Sequence, residues 1–148
     1  MEVNHSAPVL ASDQIDIDAD PATVWGVISS IDAWPSWNPA IKTASLNGPL
    51  AEGTTFRWKA GPGMVTSTLR QVTPPQVLAW TGRTLGIKAV HVYRLEPRES
   101  GTVVHTAESW EGPTARLMRR VMQRQLENAL RPGLQRLKEE SERRASTN

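Results

Sequence analysis

The stretch that decides the fold runs from Asp13-Gln-Ile-Asp-Ile-Asp-Ala-Asp-Pro21 through the Trp- and Pro-rich segment Trp34-Pro-Ser-Trp-Asn-Pro39. Polar and apolar residues alternate over residues 13–19, which predicts a strand with one apolar face. Asp20 is suited to cap a following helix, because its carboxylate can accept a hydrogen bond from the first turn. Pro21 fits the first helical position, where the N–H that it lacks would be unpaired anyway. The apolar spacing after Pro21 predicts one short helix, and the segment ending at Pro39 predicts a second.

Outward from this stretch, six further segments have the composition of strands and are separated by Gly- and Pro-containing turns. No helix-length periodic segment interrupts them, so the sequence predicts an antiparallel meander. The predicted strands are 41–47, 54–60, 64–73, 77–83, 87–95 and 102–110.

From Pro113 onward, apolar residues recur at three- and four-residue steps, which predicts a long amphipathic helix. Pro132 removes one backbone donor from this helix and predicts a kink or a split near Arg131. The resulting fold class is α+β, with a curved antiparallel seven-stranded sheet wrapped around the C-terminal helix. One helix is too narrow to fill such a concavity, so we expect a central cavity.

The chain has 148 residues, enough for one hydrophobic core. We expect a flexible leader over residues 1–12, a single domain over 13–142 and a flexible tail over 143–148. The sequence has no Cys, which excludes disulfides and thiolate metal sites. No apolar stretch reaches the length of a membrane span, so we expect no transmembrane segment and a cytoplasmic protein.

Charge is distributed unevenly although the net charge is only +2. Residues 1–50 hold six acids against Lys42 alone, whereas residues 114–148 hold nine bases against four acids. Such a basic end can contact nucleic acid or an anionic membrane. Its bases alternate with apolar residues at helical spacing, which favours a solvated helix face, and we expect no nucleic-acid partner.

The motifs resemble one known family. Besides the opening stretch, the resemblance rests on Val72-Thr-Pro-Pro75, Leu78-Ala-Trp80, His91-Val-Tyr-Arg-Leu95 and Glu108-Ser-Trp-Glu-Gly112. In order and spacing these segments are similar to the START-like (SRPBCC) polyketide cyclase/dehydrase and lipid-transport family. The resemblance implies a helix-grip fold with a hydrophobic tunnel between sheet and helix. It specifies function less closely, because members include enzymes of polyketide synthesis and proteins that bind lipids, hormones or protein partners.

Alternation along the last two predicted strands nominates a site. If the hairpin pairs Tyr93 near Val104, then His91 and Glu108 share one face with several large apolar residues. An imidazole and a carboxylate in one apolar pocket are suited to acid–base catalysis, and they are equally suited to satisfying each other as a buried polar pair. The predicted ligand-binding residues are Trp37, Phe56, Trp58, Leu78, Trp80, Tyr93, Thr106, Trp110, Met118 and Met122.

Other chemistry has little support in the sequence. The three His are dispersed and lack the spacing of a zinc site, so we expect no metal and no cofactor. Gly61-Pro-Gly63 reads as a hairpin turn, because neither a Lys-Ser/Thr pair nor a helix follows it. His105 falls on the opposite face from His91, and His5 lies in the leader.

Three functions remain open. The first is binding of a hydrophobic small molecule in the cavity, with His91 and Glu108 fixing its polar end. The second is a polyketide cyclase/dehydratase-type enzyme in which the same pair moves a proton. The third is a protein-interaction module using the basic helix face around Arg116, Arg119, Arg120 and Arg124. In each case we expect a monomer or a homodimer.

Overall fold

A computed structural model of the protein describes residues 1–147. Seven strands and four helices follow one another along the chain, with a 3-10 turn at Ile31–Ala33. The strands are β1 (Val9–Ile17), β2 (Ile41–Leu46), β3 (Thr55–Ala60), β4 (Met64–Thr73), β5 (Val77–Thr84), β6 (Ile87–Arg98) and β7 (Gly101–Glu111). The helices are α1 (Pro21–Ser29), α2 (Trp34–Trp37), α3 (Pro113–Leu117) and α4 (Arg119–Ser146).

The strands form one antiparallel sheet in the order β1-β7-β6-β5-β4-β3-β2, so β1 and β2 are its edges. From β2 to β7, consecutive strands are neighbours in a simple meander. Strand β1 pairs with β7 instead of β2, because α1 and α2 carry the chain across the concave face before β2 begins. Helix α4 packs mainly along β1 and α1 and also touches β7. This is the helix-grip arrangement, and it confirms the predicted fold class.

Helix α1 begins as the sequence predicts. The carboxylate of Asp20 accepts a hydrogen bond of 2.8 Å from the backbone N–H of Thr23, and Pro21 occupies the first helical position. The helix buries Val24, Val27 and Ile28 against the concave face. The cap therefore fixes where the chain leaves β1 and turns back over the sheet.

The N-terminal end differs from the sequence-based expectation. Strand β1 begins at Val9, four residues before the predicted start at 13. Val3 is buried with Ala79 and Val92 on the convex face of the sheet. The backbone N–H of Asn4 donates to Ser109 Oγ at 3.1 Å. A single valine among polar residues gives no periodic signal, so the docking of this segment could not be read from the sequence.

The C-terminal end also differs. The helical region breaks at Met118, whose backbone leaves the helical conformation (φ −108°, ψ 35°), while α4 runs through Pro132 to Ser146. The helix is therefore not split near Arg131, and a kink there stays a prediction. Glu140 accepts hydrogen bonds from Arg143 at 2.7 Å and Arg144 at 2.8 Å, which extends the helix into the segment predicted as a flexible tail.

Candidate functional site

The pairing of β6 with β7 decides which side chains meet on the concave face. His91 lies opposite Glu108, and Tyr93 lies opposite Thr106. The sequence-based pairing of Tyr93 with Val104 is therefore two residues out of register. Since side chains alternate with a period of two, a shift of two leaves the assignment of faces unchanged. His91 and Glu108 accordingly share the concave face, as predicted.

We call the residues His91, Tyr93, Thr106, Glu108 and Trp110 the polar cluster. His91 Nε2 lies 2.8 Å from Thr106 Oγ1, in hydrogen-bond geometry. Glu108 accepts a hydrogen bond of 2.7 Å from the Trp110 indole N–H through Oε2. Its other oxygen, Oε1, lies 3.0 Å from His91 Nδ1. That approach lacks hydrogen-bond geometry, so Nδ1 is buried without a hydrogen-bond partner among the described residues.

Burial sets the electrostatics of the polar cluster. The side chain of His91 is 9% exposed and that of Glu108 is 13% exposed. Burial lowers the pKa of His91, and the negative charge of Glu108 opposes that shift. Burial raises the pKa of the Tyr93 hydroxyl, and Glu108 raises it further. The cluster thus presents a neutral imidazole and a neutral phenol beside one carboxylate.

The lowered pKa of His91 predicts how stability depends on pH. Below pH 6.5 the unfolded chain protonates this imidazole more readily than the folded chain does. The free energy of unfolding should therefore fall as the pH decreases from 6.5 toward the folded-state pKa. We expect His91→Gln to weaken this dependence in urea unfolding, with the exposed His105→Gln as control. An identical slope in wild type and His91→Gln would contradict the assignment.

Aromatic rings surround the polar cluster on one side. The His91 ring stacks on Tyr93 with centroids 4.7 Å apart and lies 4.8 Å from Trp80. Trp34 packs against Phe56, Trp58 and Trp80, with ring centroids 5.6, 5.7 and 5.3 Å away. Most of these rings form a packed core beside the cluster.

The predicted ligand-binding residues fall into distinct environments. Phe56 and Leu78 are fully buried, and Trp80 is 4% exposed, so these three belong to the packed core. Trp37, Trp58 and Tyr93 are half-buried and retain accessible surface beside it. Trp110 and Met122 belong to a separate cluster against α3 and α4, while Met118 is exposed. Trp110 is hydrogen-bonded to Glu108 on the concave face but packs with Met122, and its convergence with Trp37, Trp58 and Trp80 on one concavity stays a prediction.

Two contributors to the site were missed by sequence reasoning. Trp34 is not among the predicted ligand-binding residues, but it contacts Phe56, Trp58 and Trp80 and donates its indole N–H to Ile28 O at 2.9 Å. Ser67 is buried and accepts a 3.0 Å hydrogen bond from the Trp58 indole. The sequence signal that could have placed Trp34 at the site was its position in a short helix predicted to follow β1. An isolated serine such as Ser67 gives no signal of this kind.

Two surface cavities lie away from the aromatic group. One of about 530 Å³ lies where β1 meets α4 and is lined in part by Leu10, Asp13 and Leu130. Another of about 600 Å³ lies between the N-terminal segment and β5–β7. Thr106 is the one predicted ligand residue that lines either of them. The rings of Trp34, Phe56 and Trp80 pack against one another on the concave face, and the predicted central cavity walled by tryptophans stays a prediction.

Metal ligands do not converge on the polar cluster. In residues 1–147, no group of three or more His, Asp or Glu side chains is arranged to hold a metal ion. None of the described helices has the length and apolarity of a membrane span. The side chains of His91, Tyr93 and Glu108 are suited to hydrogen bonding and proton transfer.

These features define a helix-grip protein, and comparison with known sequences assigns its family. The chain belongs to the polyketide cyclase/dehydrase and lipid transport family, whose sequence model matches residues 8–142. No curated protein is a significant match.

Solved structures with the same fold share little sequence with this chain. A hypothetical protein from Helicobacter pylori has a TM-score of 0.81 at 16% identity, covering 93% of this chain and 90% of that one. The Zhui aromatase/cyclase from Streptomyces sp. R1128 has a TM-score of 0.79 at 15% identity, covering 91% and 94%. A START superfamily protein from Mycobacterium smegmatis has a TM-score of 0.67 at 15% identity, covering 93% and 97%. At these identities the likeness concerns the fold alone.

Proposed function

We propose that this protein binds a hydrophobic small molecule on the concave face, with the polar end of the ligand at Glu108 and His91. The observation that carries the proposal is the His91–Glu108 pair, buried on the apolar concave face with Nδ1 and Oε1 3.0 Å apart. Within the described residues Glu108 accepts one hydrogen bond, from Trp110, and a carboxylate can accept more, so a ligand hydroxyl that donates to it gains affinity. Membership of a family named for polyketide cyclases and lipid transport supports the same ligand class.

The surroundings indicate which part of the ligand goes where. Trp37, Trp58 and Tyr93 keep accessible aromatic surface next to the packed core. The Trp37 indole N–H is buried and, within the described residues, has no hydrogen-bond partner. Flat rings with few donors suit an aromatic or acyl body. The Glu108 carboxylate suits a hydroxyl on that body, because a carboxylate accepts but does not donate.

The experiment is a titration followed by intrinsic Trp fluorescence, using lipids, flavonoids and aromatic polyketides. We expect at least one class to produce a saturable change. Glu108→Gln removes the charge and should weaken a hydroxylated ligand by about tenfold, with little effect on its analogue lacking the hydroxyl. Glu96→Gln, at an exposed position paired with His105, is the matched control. Equal losses for both ligands would contradict the assigned orientation.

One specific observation favours a second candidate, an enzyme of the cyclase or dehydratase type. The hydrogen bond between His91 and Thr106 fixes the imidazole, and Glu108 approaches its other nitrogen to 3.0 Å. Such a couple can move a proton on a bound carbonyl compound. Glu108→Gln separates the two candidate functions. Loss of turnover, with ligand affinity kept within tenfold of wild type, would indicate catalysis.

A further inference from the structure

One end of the molecule carries apolar side chains that the fold leaves uncovered. Leu117 is 87% exposed, Leu85 65%, Val121 55%, Met118 43% and Met64 42%. They come from the start of β4, the β5–β6 turn and the junction of α3 with α4. We call these five residues the distal patch. Single exposed leucines are ordinary on protein surfaces, whereas a group of exposed apolar residues indicates an interaction site.

Direct contacts hold the three segments together. Thr114 in α3 donates a 2.9 Å hydrogen bond to the carbonyl of Leu85. A Cβ at Gly63 would lie 3.2 Å from Leu85 Cδ1, so the leucine side chain sits against the β3–β4 turn beside Met64. The turn that carries Leu85 is therefore held against both the β3–β4 turn and α3, the helix that ends at Leu117.

The backbone of Leu85 adds a second observation. Leu85 has φ +49°, and among residues 1–147 it is the sole non-glycine residue with positive φ. This left-handed conformation is favoured by Gly and Asn and is uncommon for a large side chain. The turn thus holds a leucine outward in a position where a small polar residue would be the better fit. Apart from its contact with the β3–β4 turn, the described chain leaves most of this side chain uncovered.

Unpaired positive charge borders the distal patch. Arg116, Arg120 and Arg124 are exposed, and within residues 1–147 none has an acidic side chain within 4.0 Å. The ion pairs of α4 begin only at Arg131. Arg119 is the exception among the nearby bases, since it donates to the carbonyl of Pro8. The first turns of α4 therefore combine exposed apolar residues with arginines that no acid neutralises.

We propose that the distal patch docks on an anionic lipid bilayer. Leu85, Leu117 and Val121 enter the boundary between headgroups and acyl chains, while the arginines contact lipid phosphates. A second copy of this chain fits less well, because a two-fold contact would bring two sets of unpaired arginines together. An acidic protein fits less well too, since protruding turns anchor poorly without pockets to receive them. This proposal is independent of ligand binding on the concave face.

The test is co-sedimentation of the unliganded protein with vesicles. We expect binding to an equal mixture of phosphatidylcholine and phosphatidylglycerol and not to phosphatidylcholine alone, with affinity falling as salt rises. The triple variant Arg116→Gln, Arg120→Gln, Arg124→Gln should bind about a hundredfold more weakly, at roughly fivefold per arginine. The matched control is Lys42→Gln, Arg98→Gln, Arg136→Gln, which removes the same charge elsewhere and should retain most of the binding.

An apolar variant completes the design. Leu85→Asn with Leu117→Ser keeps every charge, and Asn tolerates the left-handed backbone, so the protein should remain folded by circular dichroism. We expect at least tenfold weaker vesicle binding at low salt. Equal losses for the two triple variants would show a general charge effect and overturn the proposal. So would absence of vesicle binding, or concentration-dependent dimers that the apolar variant abolishes.

Discussion

Trp34→Ala should destabilise the protein by about 3–5 kcal/mol, the range for removing a large aromatic ring from a core. Trp34 is 2% exposed and contacts Phe56, Trp58 and Trp80 with ring centroids within 5.7 Å. Its indole N–H also donates to Ile28 O. The substitution removes packing on three sides and leaves that carbonyl without its partner. Urea unfolding followed by circular dichroism measures the loss.

Two further variants make the Trp34 result interpretable. Trp34→Phe keeps a ring in the aromatic group and loses the hydrogen bond, so it should cost less than alanine. Trp25→Ala removes an indole that is only half-buried at the edge of the same core and should also cost less. A loss below about 1 kcal/mol for Trp34→Ala would show that the indole is not central to the core.

Gly101→Ala should destabilise the protein by about 3 kcal/mol. A Cβ at this position would overlap the carbonyl oxygen of Ile17, which is backbone and cannot rotate away. The close approach joins the start of β7 to the end of β1, the pair that closes the sheet order. The adjacent Thr102 hydroxyl donates to the carbonyl of Ala19 at 2.7 Å. Relieving the overlap therefore disturbs the chain just before the cap of α1.

The chain offers a matched control for this glycine. Gly133 lies inside α4, and a Cβ there meets nothing within 4 Å. Gly133→Ala should stabilise the protein by about 0.5–1 kcal/mol, because alanine loses less backbone entropy in a helix. Thermal and urea unfolding should thus shift in opposite directions for the two substitutions. Equal small shifts would contradict the close approach at Gly101.

The strands and α1 were predictable because their signals are local. Alternation, the Asp20 cap and the Gly/Pro turns each act over a few residues. The break at Met118 was not predictable, because nothing in its neighbours differs from an ordinary amphipathic helix. Pro132 carried the stronger local signal for a break, yet α4 continues through it on an exposed face.

The site was predictable in part for a similar reason. Strand alternation places His91 and Glu108 on one face in any register shifted by an even number of residues, so their meeting was foreseeable. The position of Trp34 depends on how α2 crosses the sheet, a long-range property. That tertiary placement brings Trp34 into contact with Phe56, Trp58 and Trp80 on the concave face. The ligand site proposed above therefore centres on the polar cluster beside these rings.

The fluorescence titration of wild type and Glu108→Gln tests directly whether a hydrophobic small molecule binds on the concave face with a hydroxyl at Glu108. The predicted result is saturable binding of at least one hydroxylated aromatic or acyl compound, weakened about tenfold in Glu108→Gln. Saturable binding that is indifferent to Glu108→Gln, or no response to any compound of the panel, would contradict it.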